Sequence, residues 1–284
     1  MMLCLAPPAH AVPQRPCDPH LQDLGEARIE NYEALSGASY TVQLKLRLDN
    51  HGDTACVGFI RFAADHSEKR LSGPNAASLS YYIVDEADIG RLLFDPSNHS
   101  GRDIPVTVPA HSSIDINPHA LVPASQPGRS GQYSASLHVS YFPAQAGDAS
   151  DGTTAKIAAS VKPGVQANFV GLSSGQRAEL DMGELTPGLS RSIWLQVRAS
   201  ADVDIHISSD HHGQLRHERS DARIPYRMML DDQSVDLSRG SRVAVGLADS
   251  IRGQNLPLAI TIDDYDRAPV GNYDDVVTFT ISAR

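Results

Sequence analysis

The sequence lacks the features that mark membrane-spanning and nucleic-acid-binding proteins. It has no apolar run near the roughly 18 residues that a helix needs to cross a bilayer. Its 24 Lys and Arg are outnumbered by 34 Asp and Glu, giving a formal net charge of −10, and no basic cluster offsets that balance. Because a negatively charged protein repels polyanions, we expect no nucleic-acid partner.

Catalytic motifs are equally scarce. No Gly-x-Ser-x-Gly motif is present, and the glycine-bearing stretch at 183–188 lacks the lysine of a phosphate-binding loop. Histidines and carboxylates gather at 206–217 and at 263–275, but neither stretch has a metal-ligand spacing. A solvated hairpin loop at 208–220 and a turn beside a strand explain them. We predict no enzyme, no catalytic residues, no metal and no cofactor; a metal-dependent secreted hydrolase is the less favoured alternative.

Cysteine is rare, with only Cys4, Cys17 and Cys56. Cys4 lies in residues 1–11, which resemble the remnant of a secretory signal peptide because a short apolar stretch precedes Ala-His-Ala at 9–11. Removal of this segment leaves two cysteines, as expected for one Cys17–Cys56 disulfide formed in an oxidising compartment. Two unrelated buried thiols are the alternative.

Alternating apolar and polar residues dominate the rest of the chain, which is typical of half-buried strands. The alternation at 42–48 and at 55–62 predicts a hairpin around the turn at 50–53. Helical periodicity is confined to a weak pattern at 86–94. Many short strands separated by Gly, Pro, Asn and Asp turns predict an all-β protein built from antiparallel Greek-key sandwiches.

Two markers in this pattern occur twice. A Gly-x-Tyr turn leads into an alternating strand at 131–139 and again at 271–279, and the tyrosines Tyr133 and Tyr273 are 273 − 133 = 140 residues apart. Tyr81 and Tyr226 form a second pair, separated by 226 − 81 = 145 residues. A repeat at one long interval indicates two copies of one domain. We predict domains at 12–142 and 155–284, joined by a flexible linker at 143–154.

The second half carries an ordered set of motifs: LDMGELTPG at 180–188, SSDHHGQL at 208–215, IPYRM at 224–228 and GNYDDVVTFT at 271–280. In this order they resemble the spore coat protein U-like domain, which builds the pilins of archaic, Csu-type chaperone–usher systems. The resemblance covers 165–284 well and 40–142 more weakly. Two departures are Met182, at a position where the family usually has Phe, and the absence of cysteine from the second half.

The resemblance implies immunoglobulin-like sandwiches, of which the C-terminal one lacks its last strand. The last predicted strand ends close to residue 284, so we expect its edge to stay uncovered by this chain. Tyr273, Val277, Phe279 and Ile281 are then expected to border the groove that receives a donor strand. The implied partners are a periplasmic PapD-like chaperone, an outer-membrane usher and an adjacent pilin subunit, with export through the periplasm to the cell surface.

Residues 12–35 contain three prolines and no sustained alternation, so they are a poor donor strand. Two domains without a donor favour a tip adhesin or minor pilin, in which 12–142 binds an unknown receptor or surface. The polar loops at 50–53, 68–77 and 97–103 are the candidates for that contact. A free-standing secreted module that binds carbohydrate or protein is the alternative.

Overall fold

The computed structural model describes residues 15–65, 68–145, 147–171, 178–246 and 251–284. Within these ranges the only helical element is a 3-10 turn at Pro74–Ala76, and all the others are strands. The predicted all-β class is therefore confirmed. None of the described residues forms a helix of the length and hydropathy that crossing a bilayer requires. The predicted signal-peptide remnant at 1–11 lies outside the described residues.

The weak helical pattern at 86–94 does not form a helix in the structure. The side chains of Asp85 and Asp88 accept hydrogen bonds from the backbone N–H groups of Ala87 and Gly90, each at 2.9 Å. Such local turns compete with helical hydrogen bonding. A strand at Leu92–Asp95 follows directly.

The first half forms fifteen strands. They are β1 (Pro19–Asp23), β2 (Ala27–Tyr32), β3 (Tyr40–Gln43), β4 (Leu46–Asn50), β5 (Cys56–Ala63), β6 (Leu71–Ser72), β7 (Ser78–Leu79), β8 (Tyr82–Val84), β9 (Leu92–Asp95), β10 (Ser100–Gly101), β11 (Ile104–Val108), β12 (Ser112–Ile116), β13 (His119–Val122), β14 (Gly131–Pro143) and β15 (Asp151–Val161). One sheet has the order β1-β4-β12, a second β10-β9-β8-β13-β3, and the largest runs β11-β5-β14-β15-β2. Their inward faces enclose one core.

The second half forms a separate sandwich from ten strands. They are β16 (Val165–Phe169), β17 (Ser190–Ala199), β18 (Val203–Ser209), β19 (Gln214–His217), β20 (Arg223–Leu230), β21 (Gln233–Val235), β22 (Ser241–Val245), β23 (Gln254–Ile262), β24 (Tyr273–Asp274) and β25 (Val277–Ala283). One sheet has the order β16-β17-β23-β20-β19-β24, and the facing sheet β22-β18-β25. The chain changes sheet five times, on entering and leaving β18, on entering and leaving β22, and on entering β25, as in the predicted Greek-key arrangement.

The predicted hairpin of residues 42–48 with 55–62 is wrong. β4 pairs with β1 and β12, whereas β5 pairs with β11 and β14, so the turn at 50–53 carries the chain from one sheet to the other. Asn50 holds this crossing from a buried position. Its side-chain amide donates to the carbonyl oxygens of Thr54 at 2.8 Å and Pro109 at 3.0 Å, and its oxygen accepts from Gly52 N–H at 2.9 Å.

The predicted linker at 143–154 is also wrong, and with it the start of the second domain at 155. β14 continues to Pro143, and β15 begins at Asp151 and pairs antiparallel with it from Tyr141↔Asp151 to Gly131↔Val161. Small residues such as Gly152 therefore belong to a strand of the first sandwich. Three residues, 162–164, separate β15 from β16.

Ser200, buried at the end of β17, joins the two sandwiches. Its hydroxyl accepts a hydrogen bond from Gly164 N–H and donates one to the Lys162 carbonyl, both at 2.9 Å. Its own carbonyl accepts from Ser130 N–H, just before β14, at 2.6 Å. One residue therefore fixes the connector against both halves of the chain.

The predicted disulfide is confirmed. Cys17 and Cys56 are bonded, with their Cα atoms 5.0 Å apart, and the bond ties the segment before β1 to the start of β5.

We expect the double change Cys17→Ala and Cys56→Ala to lower the free energy of unfolding of the first sandwich by about 4 kcal/mol, because a 39-residue separation is no longer closed in the unfolded chain. Pulse proteolysis in urea would measure it. Trp194, the single tryptophan, lies in β17. Its fluorescence should therefore show that the stability of the second sandwich is unchanged. An equal loss of stability in both sandwiches would contradict the conclusion that this disulfide stabilises only the first one.

Candidate interaction site at the open edge of the second sandwich

β14 and β25 occupy the same place in the two sandwiches. The Tyr133 hydroxyl donates to the Arg129 carbonyl at 2.8 Å, and the Tyr273 hydroxyl donates to the Pro269 carbonyl at 2.8 Å. Each bond spans four residues, the tyrosine corner that marks this strand in immunoglobulin-like folds. The sequence repeat is thus matched by an equivalent corner in each sandwich.

The two strands differ on one edge. β14 lies between β5 and β15, which pairs with it over eleven residue pairs. β25 pairs with β18 on one side, from Val203↔Ala283 to Ser209↔Val277, and is the last strand of its sheet. Among the described residues, no strand of the second sandwich takes the position that β15 has in the first.

Side-chain burial follows this difference. Leu137, Val139 and Tyr141 on β14 are 0 % exposed. Adding the repeat interval of 140 places Val277, Phe279 and Ile281 at the equivalent positions of β25, and all three are only partly buried. These are three of the four residues predicted for the groove. The fourth, Tyr273, lies on β24, where its ring packs edge-on against His217 with centroids 5.0 Å apart.

β16 is the edge strand of the other sheet and lies next to β25. Phe169 meets Phe279 edge-to-face, with ring centroids 5.5 Å apart, so the edges of the two sheets come together here. Val165, Ala167 and Phe169 alternate onto one face of β16. Ala167 is nevertheless exposed, although it is an apolar residue on the face that its neighbours turn inward.

Within the described part of the chain, only one edge of β25 is paired with another strand. Arg284 N–H donates to the Asp202 carbonyl at 2.8 Å, and Asp210 N–H donates to the Val276 carbonyl at 3.0 Å. Hydrogen-bonding residues alternate along an antiparallel strand, so the even-numbered residues between these two face β18. The N–H and C=O groups of 277, 279, 281 and 283 therefore point to the open edge.

A buried carboxylate fixes the start of β25, and sequence reasoning missed it. The side chain of Asp275 is 2 % exposed and accepts hydrogen bonds from the hydroxyls of Tyr226 and Ser209, both at 2.6 Å. It also accepts from the backbone N–H groups of His211 at 3.0 Å and Val276 at 2.8 Å. Burial and then the bond to Asp275 raise the pKa of the Tyr226 hydroxyl above its ordinary value. Comparison of the two repeats could have drawn attention to Asp275, because the equivalent residue of the first copy is the apolar Ala135.

The two suspected metal-binding stretches have other roles. Within 263–275, Asp275 serves as this internal acceptor. Within 206–217, His217 lies on β19 and is 8 % exposed, so the predicted solvated hairpin loop at 208–220 is wrong. The His217 ring nitrogens contact Arg219 N–H at 3.0 Å and the Val270 carbonyl at 3.4 Å. Across the described ranges, no group of three or more His, Cys, Asp or Glu could hold a metal ion.

The candidate tip loops do not share one end of the first sandwich. The loop at 50–53 lies at the end far from β16, where Asn50 pairs with Pro19 and Ser112. The loop at 68–77 lies at the other end, because its Pro74 and Asn75 line a cleft together with residues 200–202 of the second half. The loop at 97–103 directly precedes β11 in the chain.

Comparison with known proteins identifies no family for this chain. No family model matches the sequence, and no curated protein matches it. The resemblance to the spore coat protein U-like domain therefore stays a prediction.

Solved structures are similar over most of the chain. A chain of the CsuC–CsuE chaperone–tip adhesion subunit complex from archaic chaperone–usher Csu pili of Acinetobacter baumannii is 12 % identical, with 92 % of this chain and 99 % of that chain covered and a TM-score of 0.47. A mutant of the enterotoxigenic E. coli CFA/I adhesin CfaE is 11 % identical, with 93 % of this chain and 94 % of that chain covered and a TM-score of 0.40. The CupB6 tip adhesin of Pseudomonas aeruginosa is 10 % identical, with 94 % of each chain covered and a TM-score of 0.38. At such values they carry no argument about function.

We expect Asp275→Ala to lower the free energy of unfolding of the second sandwich by about 2–3 kcal/mol, because buried hydroxyl and N–H donors lose a charged acceptor. Asp274→Ala, one residue earlier and exposed, is the matched control and should change it by less than about 0.5 kcal/mol. Pulse proteolysis in urea would measure both. Equal effects of the two changes would contradict this role for Asp275.

Proposed function

We propose that the chain is an extracellular pilus subunit whose second sandwich is completed by a strand from another polypeptide. The observation that carries this proposal is the internal comparison. β14 has β15 on its second edge and a buried inward face, whereas β25 has no described neighbour there and an inward face that is only partly buried.

The open edge suits the addition of a strand. A strand laid between β25 and β16 would pair with the backbone groups of 277, 279, 281 and 283, and its alternate side chains would cover Val277, Phe279 and Ala167. Left uncovered, such an apolar edge promotes aggregation. This favours a periplasmic PapD-like chaperone as the first occupant, and an adjacent pilin subunit, delivered through an outer-membrane usher, as the second.

The arrangement of the first half supports a tip adhesin or minor pilin. Residues 19–23 and 27–32 are strands β1 and β2 of the first sandwich, paired with β4 and β15, so they are already used within the chain. The first sandwich has its own closing strand and can act as the binding domain for an unknown surface or receptor. The disulfide agrees with export through the periplasm to the cell surface. The names of the similar structures agree with this role, but the proposal rests on the edge of β25.

The proposal predicts that the chain expressed alone in a bacterial periplasm aggregates or is degraded. Coexpression with a PapD-like chaperone encoded in the same genome should yield a soluble one-to-one complex, measured by copurification and size-exclusion chromatography. A soluble monomer of ordinary stability without the chaperone would favour the free-standing module.

The groove itself can be tested with two neighbouring residues of β16. Ala167→Arg should abolish the complex, because Ala167 faces the groove and is exposed, so that a large charged side chain blocks the incoming strand without disturbing the core. Asn168→Arg places the same side chain on the outer face and should leave the complex intact. If both variants bind the chaperone equally, the strand is added somewhere else.

A further inference from the structure

The outer face of the β16-β17-β23-β20 sheet carries an exposed apolar patch. Trp194, the only tryptophan of the chain, is 49 % exposed on β17. Val170, directly after β16, is 44 % exposed, and Met229 on β20 is 39 % exposed. Their neighbours along the strands, including Leu195 at 2 % and Met228 at 1 %, point into the core.

The strand register makes these residues contiguous. Val170 N–H donates to the Trp194 carbonyl at 2.9 Å, and Trp194 is paired with Pro257 of β23. Two residues further along β23, Ala259 is paired with Met229. Paired residues present their side chains on the same face about 5 Å apart, so the five form one apolar band across the sheet. We call this band, Val170, Trp194, Pro257, Ala259 and Met229, the tryptophan band.

The core formed by the described residues of the second sandwich does not include this band. It lies opposite the core, on the face where strands normally carry polar residues, as Gln196 and Arg227 do here. A single exposed apolar residue needs no explanation, but a contiguous band that includes tryptophan is typical of protein interfaces.

The band is continuous with the groove. Phe169 closes the groove against Phe279, and the next residue, Val170, begins the band. An extended peptide in the groove would reach the neighbouring surface at Val170 only with its side chains. A folded protein that inserts an edge strand of its own sheet must also place the rest of its domain against that surface.

From this continuity we infer that the tryptophan band is a second contact surface for a folded strand donor of the chaperone class, which covers the band while its edge strand fills the groove. This inference rests on the proposed function and adds a contact outside the groove. The band then holds the chaperone by apolar side chains, and the groove holds it by backbone hydrogen bonds.

The test uses the complex of the full chain with the PapD-like chaperone. Trp194→Ser and, independently, Met229→Ser should each weaken binding, with Trp194→Ser raising the dissociation constant about tenfold or more. Ile89→Ser is the matched control, since Ile89 is 51 % exposed in the first sandwich, and it should leave the dissociation constant unchanged. Both band residues are exposed, so the substitutions spare the core.

A spectroscopic readout accompanies the affinities. The emission of the wild-type complex minus that of the Trp194→Phe complex isolates this one tryptophan, whatever tryptophans the chaperone contains. Its emission should lie at short wavelength and resist quenching by acrylamide. A Trp194 that is quenched as readily as an exposed indole would overturn the inference.

The remaining outcomes separate the two proposals. If wild-type chain forms no complex with the chaperone, the proposed function is wrong and the inference falls with it. If the complex forms and Trp194→Ser binds as tightly as wild type, only the inference is wrong. If Trp194→Ser instead abolishes a concentration-dependent self-association of the chain, a second copy is the occupant and the inference is overturned.

Discussion

Among the described residues, no strand pairs with the second edge of β25, and this is the constraint on which the second sandwich depends. Each backbone N–H and C=O that lacks a protein partner must be satisfied by water, and water at that edge also wets the inward-facing Val277, Phe279 and Ile281. The first sandwich meets neither difficulty, because β15 satisfies the backbone of β14 and covers its side chains. Among the described residues, the two sandwiches therefore differ in whether the strand at this position has a neighbour on its second edge.

Asp275 replaces part of what the missing strand would supply. A lone edge strand tends to fray, and the buried carboxylate ties the start of β25 to Ser209, at the end of β18, and to Tyr226 on β20. In the first sandwich the equivalent Ala135 is buried and is paired with Ile157 of β15. The hydrogen bonds of Asp275 thus fix the position of this end of β25 against β18 and β20.

Alternation along the sequence was enough to predict the β-class, the repeat and the common face of Val277, Phe279 and Ile281, because side-chain direction in a strand follows from position alone. It was not enough for connections. A turn such as 50–53 looks the same whether it closes a hairpin or crosses between sheets, and only the burial of Asn50 shows which. The Gly152-Thr153-Thr154 segment has the composition of a linker, yet pairing with β14 makes it a strand. Asp275 was overlooked because carboxylates are normally exposed.

The short connector at 162–164 has a mechanical consequence. It runs from the end of β15 straight into β16, and Ser200 locks it to both sandwiches. Tension applied to the second sandwich, while the far end of the first is anchored, would pull β15 along its own axis. Its eleven antiparallel pairs with β14 would then share the load in shear instead of unzipping one after another.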